Sequence, residues 1–486
     1  MEKINNFNLK IFIIGFIWIF FILVQKVLLQ IVNPNSLLMF ISYETFIIFL
    51  VIIRTLISKY KTVFRILTLF IILFFIYLQG QVMLNAFNLT LNGLLSNKFS
   101  SEKLIDGILD VHLFMAMFLI GVSTIREKQN LLVNDALYIN KKNNVYDLNM
   151  IIIGYIFLLI SLPFELYVNL RKLFFTLTYG YASLYQEISL ESISSTSKIL
   201  SYFFLPGCFY IFFASKRKSK NEKLSLILLI AHSFLELLIG YRASAIIPII
   251  LILYALNVKN KKTNSEYLNR KTKKTILGIC ILAAFIIVFI FPLVRESRNN
   301  GGLLNISLSN AFSWNNYKNL FTTIDSMGKS LQTVIYTKEI VPGMEPFRYG
   351  VSYIMNLTMI VPNIFGGTHP AEIYGSLGRW LTKIVDIDFW NFGGALGFNV
   401  VSEAYINFGY LGIIAIGFML GRILQLTEIK VEASGKEINY ASYAIVAVYL
   451  LSYPRGEFSS LVRGIFWYML IPRIFYLLIS RRKKSV

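Results

Sequence analysis

Eight arginines, Arg171, Arg242, Arg295, Arg298, Arg348, Arg379, Arg455 and Arg463, stand at the ends of long apolar segments or in the one long stretch between them. A guanidinium is charged at any working pH and presents forked donors that match phosphate oxygens in pairs, whereas lysine is a flexible point charge. The pattern therefore points to oxyanion recognition. The plainer alternative is snorkelling at helix ends, or pairing with acids such as Glu296 and Glu457. In "LELLIGYRASAIIPII" (235–250), Arg242 joins two apolar segments that together cover only 224–258, so "GYR" must be a tight reversal at the outer surface. Arg295 and Arg298, three apart in "RESR", share a face of any helix that continues there. Arg463 lies inside the outer end of the last apolar segment.

Proton transfer needs a different residue type, a carboxylate or imidazole in a setting that tunes it. Glu403 in "GFNVVSEAYINFGYLG" (397–412) has apolar and aromatic neighbours and is the first candidate, with a simple helix-start carboxylate as the alternative. His369 in "GGTHPAE" is the reserve. His112 and Asp110 read as polar packing. Asp386 and Asp388 have the D-x-D spacing that holds a divalent ion in some sugar-nucleotide transferases. A single D-x-D in a loop is weak, so no metal site and no cofactor is assigned. P-loop, H-E-x-x-H, G-x-S-x-G and Cys/His metal spacings are absent.

The elements carrying these groups follow from composition. Of 486 residues 56% are hydrophobic and only 15% charged, and the mean hydropathy is +0.62. That is the composition of a polytopic membrane protein. The net charge of +21 resides in short runs between apolar segments, the signature of membrane topology rather than of nucleic-acid binding. Twelve apolar segments are predicted, at 11–31, 37–57, 64–82, 107–125, 150–168, 199–215, 224–240, 244–258, 275–294, 399–424, 438–453 and 460–480. The first lacks a small-residue cleavage site and reads as a retained helix. With both termini cytoplasmic, the inner connections hold 29 of the 47 Lys and Arg and the outer ones 16. The inner set is 21 Lys to 8 Arg and the outer 8 to 8, so the arginine bias is an outer-face property. Cys208 and Cys280 fall in different segments at opposite ends and are read as packing residues.

The expected organisation is nine helices over 1–298, a large external loop over 299–397, and three helices with a basic tail over 398–486. The loop holds 12 of the 29 glycines and balances six acids against six bases. A connection that long is usually functional. Within it, 350–367 reads as an amphipathic or re-entrant helix broken by Pro362, and 310–340 as one or two short helices. No long-period or inverted repeat is detectable, which counts against a transporter.

Five stretches then stand in a familiar order: "GYR", "RESR", "FRYGVSYIMNLTMIVPNIFGG", "SEAYINFGYLG" and "YPRGEF…LVRG". Together they resemble the bacterial O-antigen and capsular polysaccharide polymerases, the Wzy-type oligosaccharide repeat-unit polymerases. The resemblance implies an all-α, GT-C-like membrane glycosyltransferase of the bacterial inner membrane that needs no metal and acts at the outer face. Its partners would be an undecaprenyl-diphosphate-linked oligosaccharide donor and acceptor, membrane lipid, and flippase and chain-length regulator proteins. By position Arg242, Arg298, Arg348 and Arg455 would correspond to the family's external basic residues and Glu403 to its carboxylate. Arg295, Arg379 and Arg463 join the set that would hold diphosphate, and Tyr374, Trp380 and Trp390 offer apolar faces to sugar rings. An O-antigen ligase would share the lipid-diphosphate donor and differ in the acceptor, and a flippase or exporter of lipid-linked sugars would share the membrane helices. Because a hydrogen bond to a charged group is worth about 1.5–3 kcal/mol, Arg242→Lys is expected to lower glycan transfer about tenfold to a hundredfold in membranes. Undiminished transfer would sink the phosphate assignment.

Overall fold

The computed structural model describes residues 6–90, 93–125, 147–185, 195–263, 318–361 and 369–482. The ninth apolar segment, with Cys280, Arg295 and Arg298, lies outside them. The principal helices are α1 (Asn6–Leu28), α2 (Pro34–Tyr60), α3 (Ile66–Asn85), α4 (Ser101–Ser123), α5 (Leu148–Tyr179), α6 (Thr196–Ala214), α7 (Lys220–Ile239), α8 (Arg242–Thr263), α9 (Lys318–Gly328), α10 (Leu331–Ile340), α11 (Val351–Ile360), α12 (Leu377–Val385), α13 (Val400–Ser434), α14 (Glu437–Ser452) and α15 (Phe458–Ser480). No strand occurs among the described residues, and nine of the described helices are long and apolar enough to cross a membrane: α1 to α6, α8, α13 and α15. The fold is an all-α polytopic membrane protein. α7 and α14 coincide with two further predicted segments.

The helices sort into two compact units. The first comprises Met1–Gln129, Phe321–Lys430 and Leu451–Val462. Its α1 buries Phe7, Ile11, Gly15, Trp18, Ile22 and Gln25 at spacings of three and four, while Phe16, Phe20 and Leu23 point outward, as a helix between protein and lipid requires. α10 is fastened to α4 by Lys338, whose ammonium lies 2.5 Å from Asp106 and 2.7 Å from Asp110, carboxylates one helical turn apart. Asp110 is thus an ion-pair anchor. His112 is fully buried, its Nε2 3.0 Å from the Thr45 hydroxyl, as the packing reading expected.

One predicted helix differs in kind. α13 is two helices joined at Gly409, whose φ of 60° and ψ of −143° only glycine adopts readily. A Cβ placed on Gly412 would overlap the carbonyl oxygen of Ala404. In a continuous helix those residues would be about 12 Å apart. The second arm therefore turns back across the first, and Glu403 sits on the short arm rather than at the entry of a straight spanning helix. The second arm, 410–434, is itself long enough to span. It lies against α4 through Gly417 and Gly421, where any side chain would meet the Phe114 and Phe118 carbonyls. This G-x-x-x-G spacing permits backbone contact between membrane helices, which have little hydrophobic drive to associate.

The second unit comprises Asn130–Leu320, Val431–Leu450 and Arg463–Val486. α5 and α6 meet closely at Gly154 and Gly207. Gly240, at φ 103°, closes α7 with its amide donating to the Glu236 and Leu237 carbonyls, and α8 starts two residues later at Arg242. "GYR" is the tight reversal expected of it. Cys208 is buried in α6. Crowding a backbone contact costs about 1–3 kcal/mol, so Gly421→Ala and Gly412→Ala should each lower the thermal midpoint of the detergent-purified protein by several degrees. Gly343→Ala, at an open position, should leave it unchanged.

Candidate active site

The break in α13 at Gly409 interrupts the helical ladder. The "FRYG" stretch bonds to the carbonyls just before it: Arg348 N–H donates to Ile406 O at 2.9 Å and Tyr349 N–H to Asn407 O at 3.0 Å. The Asn407 side chain completes the joint. Its Oδ1 accepts from Gly350 N–H at 3.1 Å, and its Nδ2 donates to Ser352 Oγ and to the Glu403 carbonyl, each at 2.7 Å. Phe347 packs over Gly409 and Phe408 over Gly350. Two glycines and one asparagine thus lock together stretches nearly sixty residues apart in the sequence.

Glu403 lies at the centre of this joint, fully buried. Its Oε1 accepts from Asn356 Nδ2 at 3.4 Å, and its Oε2 accepts from Phe458 N–H at 2.9 Å and from the Tyr453 hydroxyl at 3.5 Å. It therefore ties α11 to the 453–458 turn. The carboxyl just before that amide, Glu457, is half-buried and close enough to Glu403 for their charges to repel. Its Oε1 accepts from Gly378 N–H at 2.7 Å, capping the start of α12 from a remote part of the chain. Burial pushes the Glu457 carboxyl up to about 7, against the lowering pull of the α12 amides and of Arg348.

Arg348 stands over the Trp380 ring, 4.8 Å from its centroid, and donates to the Tyr374 carbonyl at 2.9 Å. Trp380 is fixed from the other side by its indole N–H, which donates to Glu345 at 2.9 Å. Beneath it Ile340, Val341, Leu377, Leu381, Phe398 and Ile406 form an apolar core, so this part of the long connection is built as a folded support. Arg455 is exposed and makes no ion pair among the described residues.

The remaining candidates are placed as follows. Arg379 is half exposed and paired with Glu372 at 3.1 Å. His369 caps the 370–374 helix: its Nδ1 accepts from Ala371 N–H at 3.1 Å and its Nε2 lies 3.2 Å from the Val361 carbonyl. The nitrogen able to accept a proton is thereby occupied. Asp386 caps the 387–391 helix, giving half of the D-x-D a structural task. Trp390 has Lys383 over its ring at 5.2 Å, and the Tyr374 ring is exposed. Arg348, Arg379 and Arg455 belong to the first unit; Arg171, Arg242 and Arg463 belong to the second. Glu457, Tyr453 and Asn356 were not singled out as site residues by sequence. The signal available was "YPRGEF", where an acid follows an external arginine by two residues.

A multi-helix membrane scaffold carrying buried carboxylates and arginines beside one another defines a polytopic membrane protein with a polar site at the end of its helices. The O-antigen polysaccharide polymerase Wzy family matches residues 11–485, and the chain belongs to that family. It is also similar to Protein CapE of Staphylococcus aureus, 24% identical over 242 residues, which cover 49% of this chain and 46% of that protein. The chain thus spans about half the length of that curated relative. No solved structure matches. Asn407→Ala removes three hydrogen bonds worth about 1 kcal/mol each. It should destabilise the purified protein by about 3 kcal/mol, seen as a lower thermal midpoint and faster proteolysis at the freed 347–350 stretch.

Proposed function

We propose that this protein joins undecaprenyl-diphosphate-linked oligosaccharide repeat units at the outer face of the bacterial inner membrane, building an O-antigen or capsular polymer. The observation that carries the reading is the grouping of Glu457 with Arg348, supported by membership of the polymerase family. In the reaction a hydroxyl of the acceptor unit attacks the anomeric carbon of the growing glycan. The bond from that carbon to the diphosphate breaks, and its electron pair leaves with the lipid diphosphate. Arg348 and Arg455 meet the charge developing on the departing phosphate, an electrostatic contribution that is larger where water is scarce. Arg379, in the same unit, would add to that anion-binding set; the diphosphate-holding role that the family resemblance implies for Arg242, Arg295, Arg298 and Arg463 is part of the proposal, and Tyr374, Trp380 and Trp390 are assigned to the sugars.

The proton of the attacking hydroxyl goes to a carboxylate. Glu403 was the first candidate by sequence, but it is fully buried and both its oxygens hold donors. We therefore assign Glu403 to positioning, through the Phe458 amide, and proton transfer to its half-buried neighbour Glu457. A general base must be ionised, so transfer should fall about tenfold per pH unit below pH 7, where Glu457 is protonated, and level off above it. Glu457→Gln keeps an oxygen for the Gly378 amide and should fold normally. Its rate of chain growth should drop about 10²- to 10⁴-fold, read as loss of the glycan ladder from membranes supplied with lipid-linked units. Wild-type growth in that variant would overturn the assignment. Products extended by a single transfer, with no ladder in repeat-unit steps, would favour a ligase.

A further inference from the structure

The second unit carries a cluster that the polymerase reading does not use. Glu165 of α5 and His232 and Glu236 of α7 bring one ligand atom each within 4.8 Å of one another. His232 and Glu236 are four apart and so share a helix face, which α7 turns toward α5. Glu165 and Glu236 are buried, at 7% and 6% exposure. The Glu165 Oε1 lies 2.7 Å from His232 Nδ1 and also accepts from Asn169 Nδ2 at 2.6 Å. Phe204 closes over the imidazole at 5.6 Å, and buried Cys208 lies within electrostatic reach of Glu165.

We propose that Glu165, His232 and Glu236 form a site for a transition-metal dication of the zinc or manganese class. Two carboxylates sequestered from water repel one another, and one imidazole can balance only one of them. Lys172 also lies within electrostatic reach, but its ammonium is drawn over the Tyr241 ring at 5.2 Å. A dication balances both carboxylates at once. One imidazole with two carboxylates suits borderline ions better than magnesium or calcium, which prefer all-oxygen shells. Ligands held about 2.1 Å from such an ion stand roughly 3–4 Å apart; the three atoms lie within 4.8 Å of one another, and the Glu165–His232 pair, hydrogen-bonded at 2.7 Å, opens slightly when the ion replaces their shared proton. Asn169, bonded to a ligating carboxylate, has the place of the outer partner that orients a metal ligand. The site stands whether or not the chain is a polymerase.

The test uses the full chain, purified in detergent, stripped with chelator and titrated with Co²⁺ as a visible-absorption probe, with Zn²⁺ competition. One Co²⁺ per chain, displaced by Zn²⁺, is expected. His232→Ala should abolish the absorption band. Asn169→Ala, which leaves all three ligands in place, should weaken affinity about 10- to 100-fold. Glu372→Gln, in the other unit, should bind as wild type. Absence of a stoichiometric ion, or wild-type affinity in both His232→Ala and Asn169→Ala, would overturn the proposal and leave the trio as a metal-free ion pair. Should His232→Ala fail to fold, the Asn169→Ala affinity decides by itself.

Discussion

Carbonyls left without donors where a helix breaks are costly wherever water is scarce. The break at Gly409 interrupts the helical ladder, and the backbone amides of Arg348 and Tyr349 donate to the carbonyls of Ile406 and Asn407 just before it. Much of the candidate site follows from that exchange. It fixes the backbone from which the Arg348 side chain reaches Trp380, and it holds Asn407 where its amide can seat Gly350 and Ser352. It also leaves Glu403 on a short arm facing the 453–458 turn instead of a lipid-facing helix. The glycines at 409 and 412 permit the reversal, because at one the backbone angle and at the other the close approach excludes a side chain.

The two carboxylates of the joint differ in what surrounds them. Glu403 is enclosed and bonded on both oxygens, so it acts as a structural node. Glu457 is half-buried, faces the amides at the start of α12 and feels the charge of Arg348. Burial opposes its ionisation while the helix start and the arginine favour it, and the balance falls near neutral pH. A group balanced in this way can gain and lose a proton at little cost. The described part of the long connection between the membrane helices is correspondingly a folded support, with its own apolar core under Trp380 and an ion-paired anchor from Lys338 to α4.

Much of this was legible in the linear chain. Hydropathy placed a segment on every described membrane helix, since a bilayer demands long apolar runs whatever their neighbours, but α5 (Leu148–Tyr179) and α13 (Val400–Ser434) run well past the ends expected at 168 and 424. The paired short segments around "GYR" implied the reversal that Gly240 makes. The "FRYG" and "SEAYINFG" stretches stood out as motifs, yet their pairing did not, because hydrogen bonds between backbone groups nearly sixty residues apart leave no periodic trace. The same holds for the roles of acids and bases. His369 and Glu457 look alike as isolated titratable residues, but one spends its basic nitrogen on a helix cap and the other has an arginine beside it.

Composition and hydropathy thus sufficed for the class of protein and for its apolar helices, because those depend on local burial and charge. Which carboxylate is enclosed and which is poised, where α13 turns back, and which glycines carry backbone contacts were decided by packing between distant segments. The physical reason is common to all three. Each depends on whether a particular polar group or Cβ finds a partner, or an obstruction, from a part of the chain remote in sequence.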